Sequence, residues 1–521
     1  MTRLVLALGL VALGCSGKGD SGPAGTVADA DTDTDADSDA DADADADTDV
    51  DTDTDTDTDT EPPEPCVATP IRLGLDTCLE SVICSWSGVG VSDYLGYDLA
   101  TGADVDGDGR HDLVIGAPGA DVGGAVYVLS GGSIVGAPVG EAVTGSLVHA
   151  TADAYLGNSV ALLDDADGDG LADVLTGAFG DSTAAPGAGE AILILGAPGG
   201  WGGGPLPRAA TFTGESDYAR VGTEVASAGD VDGDGLSDLL LSGELRDVTD
   251  SLYQDGRVYL VSGRASWAPL TSLADADVHL QGTSISAAGL ALAGADVTGD
   301  GYSDAIIGAP YGAGYRGQVF VVAGSATGIP SDDLANASVV IEGEASFDLL
   351  GWTVAEGDVT GDGVADLAVG AATADGDTPS AGRVYLFEGG DSMVGTPDPL
   401  AAYEGDWDQH QLGTGLLLAD ATGDGTDDLV VGAVQAHQGL VTMGGRVYVV
   451  AGRAGAWPKG PTIAEASDAM VFATTPNTYL GKGLGVGDID GDGTPDLVAG
   501  TGFTDAGATP DVGTVFFFFG G

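Results

Sequence analysis

Lysine and arginine together number only 15 in a chain of 521 residues, against 82 aspartates and glutamates, so the formal charge is −67. Ion pairing with so few cations cannot neutralise even a quarter of the carboxylates. Nucleic acid and anionic membrane surfaces would be repelled and are excluded as partners, whereas divalent cations suit such a chain. Histidine occurs five times, at His111, His149, His279, His410 and His437, with no spacing that builds a metal-ligand set or a triad. No G-x-S-x-G, P-loop or dinucleotide fingerprint is present, and the Gly-Asp-Ser-Met at 390–393 falls in a variable link. These absences argue against an enzyme. Amphipathic helical segments of useful length are missing too, and no apolar run is long enough to span a bilayer.

The chain opens MTRLVLALGLVALGC, which reads as an export signal. Arg3 is its positive end and Leu4 to Leu13 its short apolar run. The closing Ala-Leu-Gly-Cys resembles the lipobox of bacterial lipoproteins, with Ala12 where leucine is usual. That resemblance implies a signal peptide over residues 1–14, lipidation of Cys15, and membrane attachment through the lipid alone, at the outer membrane or cell surface. Ser16 beside it favours outer-membrane sorting.

Residues 15–65 form an Asp-rich stretch. Every odd position from Asp29 to Asp59 is aspartate, 16 in all, with Ala, Thr, Ser or Val between. Nothing apolar alternates there to be buried, and like charges at this density extend a chain, so a disordered tether is expected. At ~3.3 Å per residue it reaches on the order of 100 Å. Residues 66–81 read as a cysteine-containing lead-in. Cys66, Cys78 and Cys84 leave one cysteine over from any disulfide. Spacing does not choose the pair; Cys66 with Cys78 is the working expectation, because Cys84 lies in a strand-like run.

What the chain has in abundance is glycine, 89 residues, and one repeated pattern. DVDGDGRHD begins at Asp104. It returns as DADGDGLAD from Asp165, DVDGDGLSD from Asp230, DVTGDGYSD from Asp296, DVTGDGVAD from Asp358, DATGDGTDD from Asp420 and DIDGDGTPD from Asp488. A period of 61 to 68 residues means a repeat architecture. Each unit carries a small-residue run after a glycine, the acidic loop, an apolar run such as DLVIGAP, a variable loop, a run such as GRVYLVSG, and a further short strand. Four short strands per unit in seven units predict an all-β, seven-bladed β-propeller over residues 82–521. The last unit ends after three strands, at GTVFFFFGG, so residues 82–87 are expected to supply its outer strand and close the ring.

The acidic loop alternates oxygen donors around glycines that permit a sharp bend, the pattern that wraps one calcium ion. Positions 1, 3, 5 and 9 offer side chains and position 7 a backbone carbonyl. The first loop then supplies Asp104, Asp106, Asp108, Arg110 and Asp112, the second Asp165, Asp167, Asp169, Leu171 and Asp173, and the third Asp230, Asp232, Asp234, Leu236 and Asp238. Three loops carry threonine at position 3: Asp296, Thr298, Asp300, Tyr302 and Asp304; Asp358, Thr360, Asp362, Val364 and Asp366; Asp420, Thr422, Asp424, Thr426 and Asp428. The last comprises Asp488, Asp490, Asp492, Thr494 and Asp496. Up to seven calcium sites are expected, and the threonine loops should bind more weakly. The loops hold 25 carboxylates; with the 16 of the tether they account for half of the acidic residues.

Taken as a set, the opening glycines (Gly96, Gly157, Gly222, Gly289, Gly351, Gly413, Gly481), the acidic loops and the Gly-Ala-Pro at 116–118 and 308–310 resemble the FG-GAP repeats of the integrin α-subunit propeller. Integrin propellers carry the acidic loop in only some blades; here all seven have it. The resemblance implies a ligand face opposite the acidic hairpins, built from inter-blade links and second-to-third-strand loops. Trp407, His410, His437, Tyr155, Tyr218, Arg246 and Tyr315 lie in those segments and are the candidate contacts. FG-GAP repeats also accompany catalytic domains in some lyases and phospholipases. The expected role is adhesion or ligand binding by a monomer displayed on a bacterial surface, with a surface protein or glycan as partner; an enzyme working at the face or channel, and a purely structural surface protein, are the alternatives.

Overall fold

A computed structural model describes residues 77–78, 84–88, 90–133, 143–243, 255–376, 378–437, 441–458, 462–504 and 511–520. The chain divides into two units, Met1–Pro63 and Glu64–Gly521. The export signal, Cys15, the Asp-rich tether and the proposed Cys66 pairing all lie outside the described residues. Among the described residues, no helix is long and apolar enough to cross a membrane.

The described residues form seven antiparallel sheets, the blades of a β-propeller. Each blade runs up and down in chain order. In blade 1 the strands are Leu99–Ala103, Asp112–Ala117, Ala125–Leu129 and Val143–Val148. Blades 2 to 6 repeat this with first strands Val160–Leu163, Val225–Gly229, Ala291–Ala295, Thr353–Gly357 and Leu412–Ala419. Blade 7 has Leu484–Gly487, Asp496–Gly500 and Thr514–Phe518, completed by Cys84–Ser87, which pairs antiparallel with Thr514–Phe517. The expected ring closure is therefore present.

The second strand of every blade is buried along its whole length, as in DLVIGA at Asp112–Ala117, because it is covered by a blade on each side. The core is accordingly not one cluster but seven, each filling the space between two neighbouring blades. Leu113, Ile115 and Leu129 of blade 1 meet Val498, Val515 and Phe517 of blade 7 at the closure. First strands converge on the axis and must be slim: a Cβ at Gly294 of blade 4 would stand 2.4 Å from the Ala228 Cα of blade 3.

The sequence did not reveal how the outer edges are protected. In blades 2 to 6 the link between third and fourth strands lays a short parallel strap on the outer strand of the blade before it. Gly204–Pro205 straps blade 1, Thr271–Ser272 blade 2 and Asp332–Asp333 blade 3. Single bridges from Gly395 and Thr462 do the same for blades 4 and 5. Thr77–Cys78 straps blade 6 by pairing with Val471 and Phe472. Residues of the stretch read as a lead-in, Thr77 and Cys78, thus pair with the propeller. A two-residue strap carries no periodicity, so pattern reading cannot find it.

Candidate metal centres and ligand face

Up-and-down topology puts the seven acidic loops at one end of the ring, between first and second strands. The loops share a hydrogen-bond frame, varied only in detail: at Asp296 the Asp300 N–H meets Oδ1 in place of the position-4 glycine. The position-1 carboxylate bridges the loop: Asp104 accepts the Gly107 N–H at 2.6 Å with Oδ1 and the Gly109 N–H at 2.8 Å with Oδ2. Both glycines sit at positive φ, +76° and +85°, which lets the loop turn this sharply. The position-5 carboxylate accepts the N–H of position 7 in all seven loops, at 2.8–3.0 Å. These donors aim the carboxylates into one small volume and leave further lone pairs on each oxygen.

In four loops the carboxylate oxygens gather within 4.8 Å of one another: Asp104, Asp106 and Asp108; Asp165, Asp167 and Asp173; Asp230, Asp232 and Asp234; Asp488, Asp490 and Asp492. Two oxygens on opposite sides of a calcium ion stand about 5 Å apart. The donor set, all hard oxygen on a flexible loop, fits such an ion. The four loops are those with aspartate at position 3. In the threonine loops the hydroxyl is engaged locally, Thr298 with Asp304 at 3.4 Å and Thr360 with Asp358 at 3.5 Å.

Position 9 plays a larger part than closing the site. Asp112 is fully buried; its Oδ2 accepts the Val105 N–H at 2.7 Å and its Oδ1 the Gly131 N–H at 2.8 Å, beyond the third strand. The bond to the glycine after the third strand recurs in every blade, from Gly196, Gly263, Gly324, Gly389, Gly452 and Gly520. One carboxylate ties loop, second strand and third strand together. With no cation present, burial pushes these carboxyls up, to about 7 in Asp112 and Asp496 and about 6 in Asp173, Asp238, Asp304, Asp366 and Asp428. The N–H donors oppose that shift without cancelling it, and a bound cation would favour the ionised form.

The loops are also stitched to one another. The Asp104 carbonyl accepts the Ala172 N–H of the next loop at 3.0 Å, and Asp165 and Asp230 do the same with Ser237 and Ser303. Position-2 carbonyls reach further, Val105 to Ala197 at 2.9 Å and Val359 to Arg453 at 2.8 Å. At the closure, the Ile489 carbonyl of blade 7 accepts from Gly132 of blade 1.

Inter-blade turns occupy the opposite end, and each places two non-glycine residues at positive φ, four and two positions before the opening glycine. The pairs are Ser92 and Tyr94, Asp153 and Tyr155, Tyr218 and Arg220, Ile285 and Ala287, Phe347 and Leu349, Gln409 and Gln411, and Asn477 and Tyr479. Left-handed backbone is costly for such residues, on the order of 1 kcal/mol or more each. Between them lies a buried residue, such as Asp348 or His410, that anchors the turn.

Residues 95–129, 288–322 and 350–387 match the FG-GAP repeat. The chain carries FG-GAP repeats. Its propeller is similar to chicken integrin α-V, 32% identical over 230 residues, which is 42% of this chain and 20% of that one. Drosophila integrin α-PS2 is 33% identical over 194 residues, 34% of this chain and 13% of its own. Bovine phosphatidylinositol-glycan-specific phospholipase D is 34% identical over 156 residues, 28% of this chain and 18% of the enzyme. The chain thus spans about a fifth or less of the length of these relatives.

On the face of the FG-GAP propeller opposite the acidic loops, Trp407 (44% exposed), Tyr155, Tyr218 and Tyr315 are open to solvent. Tyr155 stacks on Phe179 at 5.1 Å and Tyr315 on Phe347 at 5.4 Å, each joining an inter-blade turn to a neighbouring loop. Trp407 carries the Arg446 guanidinium on one side, 4.3 Å from the ring centre, and with Asp408, Gln409 and His437 lines an open pocket of about 590 Å3. His410 departs from the expectation. It is fully buried, its Nδ1 accepts the Asp406 N–H at 2.9 Å, and its Nε2 lies 3.2 Å from the Tyr448 hydroxyl. It holds the turn and cannot meet a ligand. Arg246 lies outside the described residues. Sequence reading missed Phe347, 66% exposed, and Ile285; both stand four residues before an opening glycine, the register that would have flagged them.

A buried cluster of His149, Asp181 and Glu190 also has metal-ligand residue types. The Thr151 N–H donates to His149 Nδ1 at 3.1 Å, so a neutral ring carries its proton on Nε2 and gives it to Glu190 at 2.8 Å. Arg208 caps the same carboxylate at 2.7 Å. The cluster is a satisfied structural network.

Proposed function

We propose that this FG-GAP propeller is a calcium-stabilised binding module, held at a bacterial cell surface by a lipid on Cys15 and an extended acidic spacer, and that it serves adhesion or ligand binding. The observation that carries the reading is the division between its two ends. One end holds all seven acidic loops, whose donor sets fit calcium. The other presents long, dissimilar loops and exposed aromatic rings on turns kept in a costly left-handed conformation, a rigid scaffold with variable loops of the kind used for recognition. Bound calcium would neutralise each loop and hold its hairpin to its neighbours. The likeness to integrin α chains supports a binding role. The likeness to phospholipase D favours a hydrolase, but it covers 18% of the bovine enzyme, and among the described residues the one buried histidine–carboxylate cluster is engaged structurally.

A glycan and protein array, probed with and without calcium, tests this. Binding should require calcium and be lost in a Trp407→Ala, Phe347→Ala double variant that keeps its melting temperature. Calcium-dependent cleavage of a polysaccharide, phospholipid or peptide, abolished by a change on the same face, would replace the binding reading with an enzymatic one.

A further inference from the structure

The residues that follow the opening glycines come together on the propeller axis. They enclose a pocket of about 270 Å3 with walls from all seven blades. Pseudo-sevenfold symmetry would give each blade the same contribution, yet the ionisable groups are few and placed singly: Asp98 from blade 1, Glu224 from blade 3 and Lys482 from blade 7. Tyr97 and Trp352 add aromatic walls.

These charges feel one another across the pocket, Lys482 favouring the ionised carboxylates and they its ammonium, without meeting in direct contact. Among the described residues, neither the Glu224 carboxylate nor the Lys482 ammonium makes a hydrogen bond or an ion pair within 4.0 Å. Lys482 Nζ lies 5.0 Å from the centre of the Tyr97 ring. Asp98 accepts the backbone N–H of Val160 at 2.8 Å. All three are only partly accessible to solvent, through the channel. Enclosed charges with so few direct partners are costly, and apolar residues occupy the equivalent positions in blade 4 without difficulty, Leu290 that of Lys482 and Ala291 that of Asp98 and Glu224. Enclosure, reinforced by Asp98 and opposed by Lys482, pushes the Glu224 carboxyl up to about 8, so Lys482 does not fully offset the burial of this carboxylate.

We propose that the axial pocket binds a free basic amino acid of the lysine or arginine type, with its two cationic groups on Asp98 and Glu224 and its carboxylate on Lys482. Two carboxylates and one ammonium meet their complement, two cations and one carboxylate, so the assembly is neutral. The volume falls just below the ~300–1,000 Å3 of clefts for drug-sized ligands, which suits a single amino acid. The net negative charge of the protein favours a cation further. This site goes beyond the surface-binding reading and stands without it.

Isothermal titration calorimetry of the full chain with L-lysine and L-arginine tests the proposal. One of them should bind at one site per chain. L-Norleucine, which lacks the side-chain ammonium, cadaverine, which lacks the carboxylate, and Nα-acetyl-lysine amide, which presents the side chain as a peptide would, should each bind at least tenfold more weakly. Glu224→Gln and Lys482→Met should each weaken lysine binding at least tenfold with the melting temperature unchanged; if either fails to fold, the ligand series on the native protein decides. At pH 7 binding should release protons, read as a binding enthalpy that varies with the buffer. Absence of binding by both amino acids at millimolar concentration would overturn the proposal. So would equal binding of norleucine or cadaverine, and equal binding of the capped lysine would convert the site into a side-chain reader of proteins.

Discussion

His410 shows how a turn can depend on one protonation state. Burial lowers its pKa to about 4, with Arg446 and His437 adding to the effect and Asp406 opposing it. An unfolded chain would protonate this ring near its ordinary value of 6.5. Between those two values the unfolded state binds one more proton than the native state, so stability falls as pH falls through that window and the loss is complete below the folded value. The slope approaches about 1.4 kcal/mol per pH unit for one proton. His410→Gln keeps polar atoms in place but does not titrate. Denaturant unfolding at fixed calcium between pH 7 and 4.5 should therefore show a shallower pH dependence in the variant. Parallel curves would mean that the ring is accessible and charged in the native turn.

At the scale of elements, the acidic loop is both a metal site and a joint. Its carbonyls accept from the next loop, and its position-9 carboxylate from the third strand, so a loop that loses its ion loosens two neighbours. The loops at Asp296, Asp358 and Asp420 have one carboxylate fewer, and none of them gathers three carboxylates as the other four do. They belong to blades 4, 5 and 6, which are adjacent. Hydrogen exchange across a calcium titration should show protection lost first there and last around Asp104 and Asp488. Early opening at Asp104 would reverse this ranking. The closing strand is the other critical element. Deleting residues 1–87 removes Cys84–Ser87 and bares the edge of Thr514–Phe518, an apolar β-rich strand. Such an edge recruits other chains, so the truncated protein should aggregate. A monomeric truncation with unchanged melting temperature would show that this pairing is dispensable.

For the whole molecule the governing quantity is charge. The seven loops crowd 25 carboxylates onto one end of a ring that has few cations to offset them. Extracellular calcium modules bind at about 10⁻⁴–10⁻³ M, so at ~1 mM calcium and a dissociation constant near ~0.1 mM each site contributes about 1.4 kcal/mol. Seven such sites contribute on the order of 10 kcal/mol, comparable with the entire stability of an ordinary domain. Chelation should lower the melting temperature by tens of degrees or open the ring, and restored calcium should reverse it. A melting temperature indifferent to chelator would remove calcium from the account of stability.

Much of this was legible in the sequence because repetition amplifies weak signals. A single acidic turn means little; seven in phase dictate the blade count, and a unit one strand short dictates closure by an upstream strand. The candidate metal ligands were readable because local spacing alone sets their geometry. The face was readable only in outline. Trp407 and His410 are three residues apart in one turn, yet one lies open and the other is buried, because left-handed backbone at Gln409 turns successive side chains to opposite sides. The edge straps and the axial pocket were beyond sequence reading altogether. Two-residue strands have no period, and Asp98, Glu224 and Lys482 are hundreds of residues apart until the ring closes. Local chemistry follows from spacing along the chain, whereas which solitary charges face one another is decided by the closure of seven blades on a single axis.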